Sequence, residues 1–521
     1  MTNFPGLWSV KGVDPKSGHA SAGSRVCDWQ GSGRSVPLAW QRVSLCLAVL
    51  ALCAAASLLE RDTTRVEHPL VQAVLHSPAP VLDPFIVDLE ERTFHYFWDT
   101  ANPANGLIPD RYPTPSFASI AAVGFGLTAY PIGVERGYIT REAARRRVLA
   151  TLRFFHDAPQ NADPQGATGY KGFFYHFLDM KTGTRFEDSE LSTVDTALFL
   201  AGALFCQAYF DGPQAEEGEI RDLVDAIYRR VDWRWAQVRP PSISHGWTPE
   251  FGFLDYDWRG YNEAMLLYVM ALGSPTFPVA ASAWSEWTST YDQSWGNHFG
   301  QEYLGFAPLF GHQYSQIWVD LRKIQDSYMR GRGLDYFENS RRAVYAQQAY
   351  AVANPHQCKG YGTTIWGITA SDGPANVELE DASGRRRYRA YHARGIGAAG
   401  DDDCTLAPTA AVASIPFAPE LAIPAVLDMQ RKFGQYIYST YGFLDAFNLS
   451  FNFDGPLSHG RSVPGFGWVD GDYLGIDQGA ICAMIENYRS DMIWRVMKKS
   501  EILRRGLERA GFAGGWLTVS K

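Results

Sequence analysis

Two kinds of hydrophobic pattern alternate along the chain from Asp83 onward. In "EEGEIRDLVDAIYRRVDW" the apolar residues Ile220, Leu223, Val224, Ile227 and Val231 share one face, and charges occupy the other. That spacing predicts an amphipathic helix with one buried stripe. "TREAARRRVLATLRFF" and "SDMIWRVMKKSEILRRGLERAGF" follow the same rule. By contrast, "STVDTALFLAGALFCQAYF" (192–210) and "EAMLLYVMAL" (263–272) are apolar nearly all round. Such helices must be covered on every side. Roughly six segments of each kind, at ordinary helix lengths, predict two concentric helix layers: an all-α (α/α)6 toroid occupying 83–521. Strand-like alternation is scarce, and short strands are expected only around 364–394. No fixed-period repeat is present.

The region before Asp83 reads differently. Residues 1–41 are polar and basic. Then Arg42 precedes the apolar run Val43–Leu59, which contains a small-residue patch around Ala56. A basic flank, an apolar core and small residues are the marks of a secretory signal. The run is short for a membrane span, so a cleaved signal and an uncleaved anchor are both open. Residues 1–59 therefore read as a leader and 60–82 as a linker, and the expected location is exported, in a bacterial periplasm. Two of the seven cysteines, Cys358 and Cys404, lie in loops and could pair in an oxidising compartment. Cys206 and Cys482 fall in apolar helical runs and read as buried thiols.

Composition narrows the function. The net charge is −9, with no basic bias, which argues against nucleic acid. The aromatic content is high, at 16 Trp, 26 Tyr and 30 Phe, and many of these residues neighbour Gly, Pro, Asp and Asn. Aromatic faces in wet loops suit sugar rings. Four acidic clusters coincide with helix starts or aromatic loops. "FEDSELSTVDTAL" holds Glu187, Asp188, Glu190 and Asp195, and Ser192 with Asp195 resembles a capping box. "DYDWRGYNEAMLL" sets Glu263 in a first helical turn behind Asn262, an expected N-cap. There the helix dipole favours an anion by only ~0.3–1 kcal/mol. "YGFLDAFNLSF" places Asp445 among aromatics, and "WVDGDYLGIDQGA" holds Asp470, Asp472 and Asp477.

Each carboxylate has an ordinary reading as a cap or an Asx-turn. Together, and with no GxSxG, P-loop, HExxH or Rossmann fingerprint, they suggest the two-carboxylate chemistry of glycoside hydrolysis. Trp258, Tyr261, Tyr314, Phe447 and Trp468 would offer stacking faces. His245, His312, Gln313, Tyr314 and Asn448 would bind sugar hydroxyls. No metal, cofactor or obligatory protein partner is expected, and the partner would be a β-glucan oligosaccharide or polysaccharide substrate.

The motifs "GWTPEFGFLDYDWRGYNEAMLLYVMALGSP", "PLFGHQYSQIWVDLR", "WGITASDGP", "YGFLDAFN" and "YLGIDQGAICAMIENYR" resemble the glycoamylase-like domain. That group includes glycoside hydrolase family 144, the bacterial β-1,2-glucanases. The resemblance covers about residues 83–515. It implies an (α/α)6 barrel that cleaves β-1,2-glucan to sophorose or short sophoro-oligosaccharides, with inversion and without a metal. It maps the general acid onto Glu263 and the general base onto Asp445. It also maps a carboxylate of the substrate network onto Asp195, with Glu190 beside it. Related domains include retaining transglycosylases, and the motifs do not separate the two chemistries or endo from exo cleavage. A polysaccharide lyase or a non-catalytic glucan-binding protein on the same toroid are the rival readings.

Overall fold

The computed structural model describes residues 80–518 apart from 382–383 and 398–399. The leader at 1–59 and the linker up to residue 79 lie outside the described residues. Helix α1 (Pro84–Thr100) opens with Asp83 as N-cap, whose Oδ1 accepts the Phe85 N–H at 2.8 Å, and with Pro at the first helical position. Next come α2 (Ile120–Arg136), α3 (Arg141–Asp157), α4 (Thr193–Tyr209), α5 (Ala215–Arg229) and α6 (Met265–Gly273). The two patterns behave as their polarity requires. Helix α3 buries only Ala144, Val148, Leu149, Thr151, Leu152 and Phe155, whereas every residue of α6 is buried.

Six apolar segments are neighbours in chain order. Helix α2 packs on α4, and α4 on α6. Ser315 Oγ accepts the Leu266 N–H and donates to the Glu263 carbonyl, joining α6 to the Tyr314–Trp318 turn. Gln313 Nε2 donates to the Ala410 carbonyl in the short helix Pro408–Val412, and that helix packs on the Gly475–Ser490 helix. The Gly475–Ser490 helix in turn packs on α2. The amphipathic helices lie against these: α1 on α2, α5 on α4, and Glu501–Arg509 on α6. The α2–α4 contact is backbone on backbone. A Cβ on Gly202 would stand 2.0 Å from the Gly124 carbonyl oxygen, and one on Gly124 would stand 2.3 Å from that of Leu198.

The structure corrects three expectations. The 490–512 segment is two helices, Met492–Met497 and Glu501–Arg509, because Ser500 caps a new start by accepting the Leu503 N–H. Helix α6 begins at Met265, two residues later than its polarity suggested. Asn262 accepts the Ala264 N–H in a local turn instead of capping the helix, so Glu263 precedes the first turn. Strands are also more numerous than expected. The 364–394 region does contain the hairpin Val377–Asp381/Gly384–Tyr388. In addition, five short antiparallel strands, Gly169–Tyr170, Phe173–Tyr175, Leu191–Ser192, Gly246–Thr248 and Gly252–Phe253, form a sheet in that order. A three-stranded sheet joins Phe447–Asn448, Gly467–Val469 and Arg461–Val463. Strands of two or three residues are too short to show a period of two.

Cys358 and Cys404 form a disulfide with Cα atoms 5.3 Å apart, and Cys206 and Cys482 are buried thiols. No described helix is long and apolar enough to cross a membrane.

Two substitutions test this architecture. The disulfide closes a sequence separation of 46 residues, for which chain entropy gives ~4 kcal/mol. Cys358→Ser/Cys404→Ser should lose a comparable amount in denaturant unfolding, and an unchanged midpoint would contradict it. Gly202→Ala meets immovable backbone and should destabilise by at least ~1–3 kcal/mol. A neutral effect would mean that α2 and α4 can separate.

Candidate active site

Two groups of carboxylates lie at the starts of the apolar helices and on the strands beside them. The first surrounds α4 and α6. Glu263 is held by its backbone, whose carbonyl accepts from Ser315 Oγ at 3.0 Å. Its side chain is buried, and no protein donor reaches Oε2. Burial, with the Asp195 charge adding to it, pushes the Glu263 carboxyl up to about 7. Asp195 sits in the first turn of α4. Its N–H donates to Ser192 Oγ at 3.2 Å, and that hydroxyl donates to Asp195 Oδ2 at 2.5 Å. The capping box is thus half closed: the carboxylate takes the Ser192 hydroxyl rather than its N–H.

His176 stands between Asp195 and Glu190, with Nδ1 2.8 Å from Glu190 Oε1 and Nε2 3.5 Å from Asp195 Oδ2. Burial works against the charged imidazole, but Asp195, Glu190 and Asp110 outweigh it and raise His176 to about 9. Burial likewise opposes the Glu190 carboxylate, yet His176 holds it below the usual range.

The second group is larger and deeper. Asp445 lies between the strands Gly442–Phe443 and Phe447–Asn448. Its N–H donates to the Asp472 carbonyl at 2.9 Å, and its Oδ2 accepts the Asp372 N–H at 2.7 Å. Burial raises its carboxyl to about 6, against a hydrogen bond shared with Asp477 that lowers it. Burial and the Asp445 charge push Asp477 well above the usual carboxylate range. Tyr314 donates its hydroxyl to Asp477 at 3.4 Å.

Arg111 faces Asp372 at 2.7 Å, Asp110 at 3.5 Å and Asp472 at 3.9 Å. Burial and the charges of Asp372 and Asp445 push Asp470 up as well. One oxygen each from Asp372, Asp445 and Asp470 lies within 4.8 Å of the others, a set that could ligate a hard cation. Asp110 links the two groups, since its carboxyl feels both Arg111 and His176.

The expected residues divide. Glu263, Asp195, Glu190, Asp445 and Tyr314 belong to these groups. Seven others do not offer sugar a free surface. Trp258 is covered by His245, stacked at 3.6 Å, and its Nε1 donates to Thr193 Oγ1. Tyr261 stacks on Tyr336 and packs against His312, which burial keeps neutral. Gln313 donates to Ala410 and Ser414. Phe447 and Trp468 are fully buried, and Asn448 donates to the Asp403 carbonyl at 2.9 Å. In each case a loop aromatic or amide packs inward because the sheets and the long loops around it need a core of their own.

His176, Asp110, Arg111 and Asp372 are site residues that sequence reasoning did not single out. Only Asp372 carried a signal, within "WGITASDGP". Tyr391 joins them. It directly precedes the ladder pair Ser371↔His392, which brings it opposite Asp372, and it is 43% exposed.

The buried proton on Glu263 has a thermodynamic consequence. The folded state holds it up to about pH 7, whereas an unfolded glutamate releases it near ~4.3. The folded state therefore binds more protons between those values, and its stability falls as pH rises through them. Glu263→Gln should be nearly neutral at pH 4 and should stabilise by roughly 3 kcal/mol at pH 8. Denaturant unfolding at both pH values reads this, and equal effects at the two would contradict it.

Comparison with known proteins places this geometry. A family model described as "Putative glucoamylase" matches residues 255–501. An exo β-1,2-glucooligosaccharide sophorohydrolase (non-reducing end) of Parabacteroides distasonis is 28% identical over 471 residues, covering 84% of this chain and 59% of that protein. The chain thus spans less than two thirds of the length of the curated relative it matches. A solved structure from Bacteroides uniformis with the same glucoamylase description is 30% identical, with a TM-score of 0.70 over 84% of this chain and 100% of that one. The endo-β-1,2-glucanase of Chitinophaga pinensis, solved with sophorotriose and glucose, is 27% identical, also with a TM-score of 0.70, over 84% of this chain and 100% of that one. The chain belongs to the glycoamylase-like family.

Proposed function

We propose that the protein hydrolyses β-1,2-glucan to sophorose or short sophoro-oligosaccharides, with Glu263 as general acid and Asp445 as general base. One observation carries the assignment. Each of the two buried carboxyls keeps one oxygen that no protein group reaches, Oε2 of Glu263 and Oδ1 of Asp445, while Asp445 Oδ2 is fixed by the Asp372 N–H at 2.7 Å. Glu263 then protonates the leaving glycosidic oxygen. Asp445, its Oδ2 fixed by the Asp372 N–H, receives the proton of the attacking water. The relatives that act on β-1,2-glucans support the substrate class.

The six apolar helices supply the inner ring of an (α/α)6 toroid and the amphipathic ones its outer ring. The neighbour order returning to α2 supports that reading. Export to an oxidising compartment is supported by the Cys358–Cys404 disulfide. With Asp445 activating water instead of attacking carbon, the product anomer is inverted.

Incubation with linear β-1,2-glucan, laminarin and starch tests the reading: only the first should yield sophorose-type products, and their initial optical rotation reports inversion. The profile of kcat/KM should be bell-shaped, with limbs near pH 6 and pH 7. Glu263→Gln and Asp445→Asn should each lower kcat by at least ~10²–10⁴-fold while sophorose binding persists. Wild-type turnover in either variant would remove that residue from its role.

A further inference from the structure

The residue that ties the first carboxylate group together is a histidine on a strand end, and nothing in the acid/base scheme uses it. His176 follows the strand Phe173–Tyr175. Its N–H donates to the Glu190 carbonyl at 2.9 Å, and its own carbonyl accepts the Ile120 N–H at 3.2 Å, so the backbone is fixed on both sides. The ring lies flat on Phe177, with centroids 3.8 Å apart and planes at 20°. Each ring nitrogen faces a carboxylate, Glu190 at 2.8 Å and Asp195 at 3.5 Å. An imidazole with both nitrogens against carboxylates can serve both only as a double donor, which is the protonated form. The charged groups around it are Glu190, Asp195 and Asp110. Both clamped carboxylates keep an open side, with their side chains 15% and 13% exposed.

We propose that His176 is a positioning residue for this reaction. Its doubly ion-paired imidazolium fixes Glu190 and Asp195 as acceptors for hydroxyls of the sugar next to Glu263. This rests on the glucan-hydrolase reading above. The geometry supplies the reason a clamp is needed. Two carboxylates left to themselves would repel and turn apart, and freely rotating acceptors bind a hydroxyl less well than fixed ones. The clamp also sets the local charge. Imidazolium plus two carboxylates leaves one net negative charge beside Glu263, and loss of the ring's charge leaves two. Removing His176 therefore strengthens the hold on the Glu263 proton as well as loosening the sugar.

The test uses the full chain with linear β-1,2-glucan and the variants His176→Gln, Glu190→Gln and Asp195→Asn. In His176→Gln, kcat/KM should fall by roughly tenfold to a hundredfold, the scale of one charge-assisted hydrogen bond. The loss should lie mainly in KM, and the alkaline limb of the pH profile should move to higher pH. A purely structural histidine would lower the unfolding midpoint and leave that limb in place, which would overturn the proposal. So would a kcat/KM within twofold of wild type.

A second readout needs neither substrate nor a folded His176→Gln. In ¹⁵N-histidine spectra, an imidazole of the wild type should stay protonated past pH 8 and revert toward its ordinary titration in Glu190→Gln and in Asp195→Asn. Titration of every imidazole near ~6.5 in the wild type would overturn the clamp. Failure of the wild type to cleave the glucan would sink the functional reading alone, and the spectra would still decide the clamp.

Discussion

Buried negative charge that lacks enough positive charge to balance it is the constraint around which this molecule is organised. Asp372, Asp445, Asp470, Asp472 and Asp477 are all nearly or fully removed from solvent, and Asp110 lies beside them. Among the described residues Arg111 pairs directly with this set, while Arg394 is ion-paired with Asp403 at 2.7 Å. Isolated carboxylates cannot stay ionised in such surroundings at acceptable free energy. Protons must remain on some of them, and the network decides which. Asp470 and Asp477 are both pushed well above the usual carboxylate range. At the other end burial outweighs the hydrogen bond from its own backbone and keeps the Glu263 carboxyl up, with no protein donor at Oε2.

The scaffold keeps those groups from rearranging. The Asp372 segment is fixed by Arg394, which donates to the Ser371 carbonyl at 2.8 Å and to Asp403 at 2.7 Å. Asn448 in turn holds the Asp403 carbonyl, and the Cys358–Cys404 disulfide closes the same segment at its base. Side chains that look like ligands for sugar thus form the frame that aims the Asp372 N–H at Asp445. Each such contact is an ordinary hydrogen bond, modest in net free energy. Their value is geometric, because a carboxylate displaced by an ångström would meet different neighbours and hold its proton differently.

Sequence reasoning reads the helices well for a physical reason. A helix buried all round and a helix with one apolar stripe differ over fifteen or so residues, a long enough record for the periodicity to register. The strands of the Gly169–Phe253 sheet are two or three residues each and leave no such record. The acidic residues of the two buried groups were legible because carboxylates at helix starts and in aromatic loops are uncommon combinations. The aromatic ones lie deeper than their loop positions suggested. Composition tells that Trp258, Tyr261, Phe447 and Trp468 lie near loops, not that long loops in a large domain bury their own rings. His176 was invisible because its partners come through strand pairing, fourteen and nineteen positions away, and no local pattern encodes that.

One small ladder gives the assembly a direction in time. Arg111–Tyr112 pairs with Tyr473–Leu474, and the Gly475 N–H donates to the Asp110 carbonyl. The arginine that neutralises the acidic cluster and the helix that carries Asp477 are therefore brought together only when the two ends of the domain meet. A chain emerging N-terminus first completes its ring of apolar helices and its charge network with the same segment, the Gly475–Ser490 helix. The acidic cluster thus lies on the seam along which the domain closes, and a chain cut short of Tyr473 would lose the sixth apolar helix, its packing on α2 and the Asp477 carboxyl together.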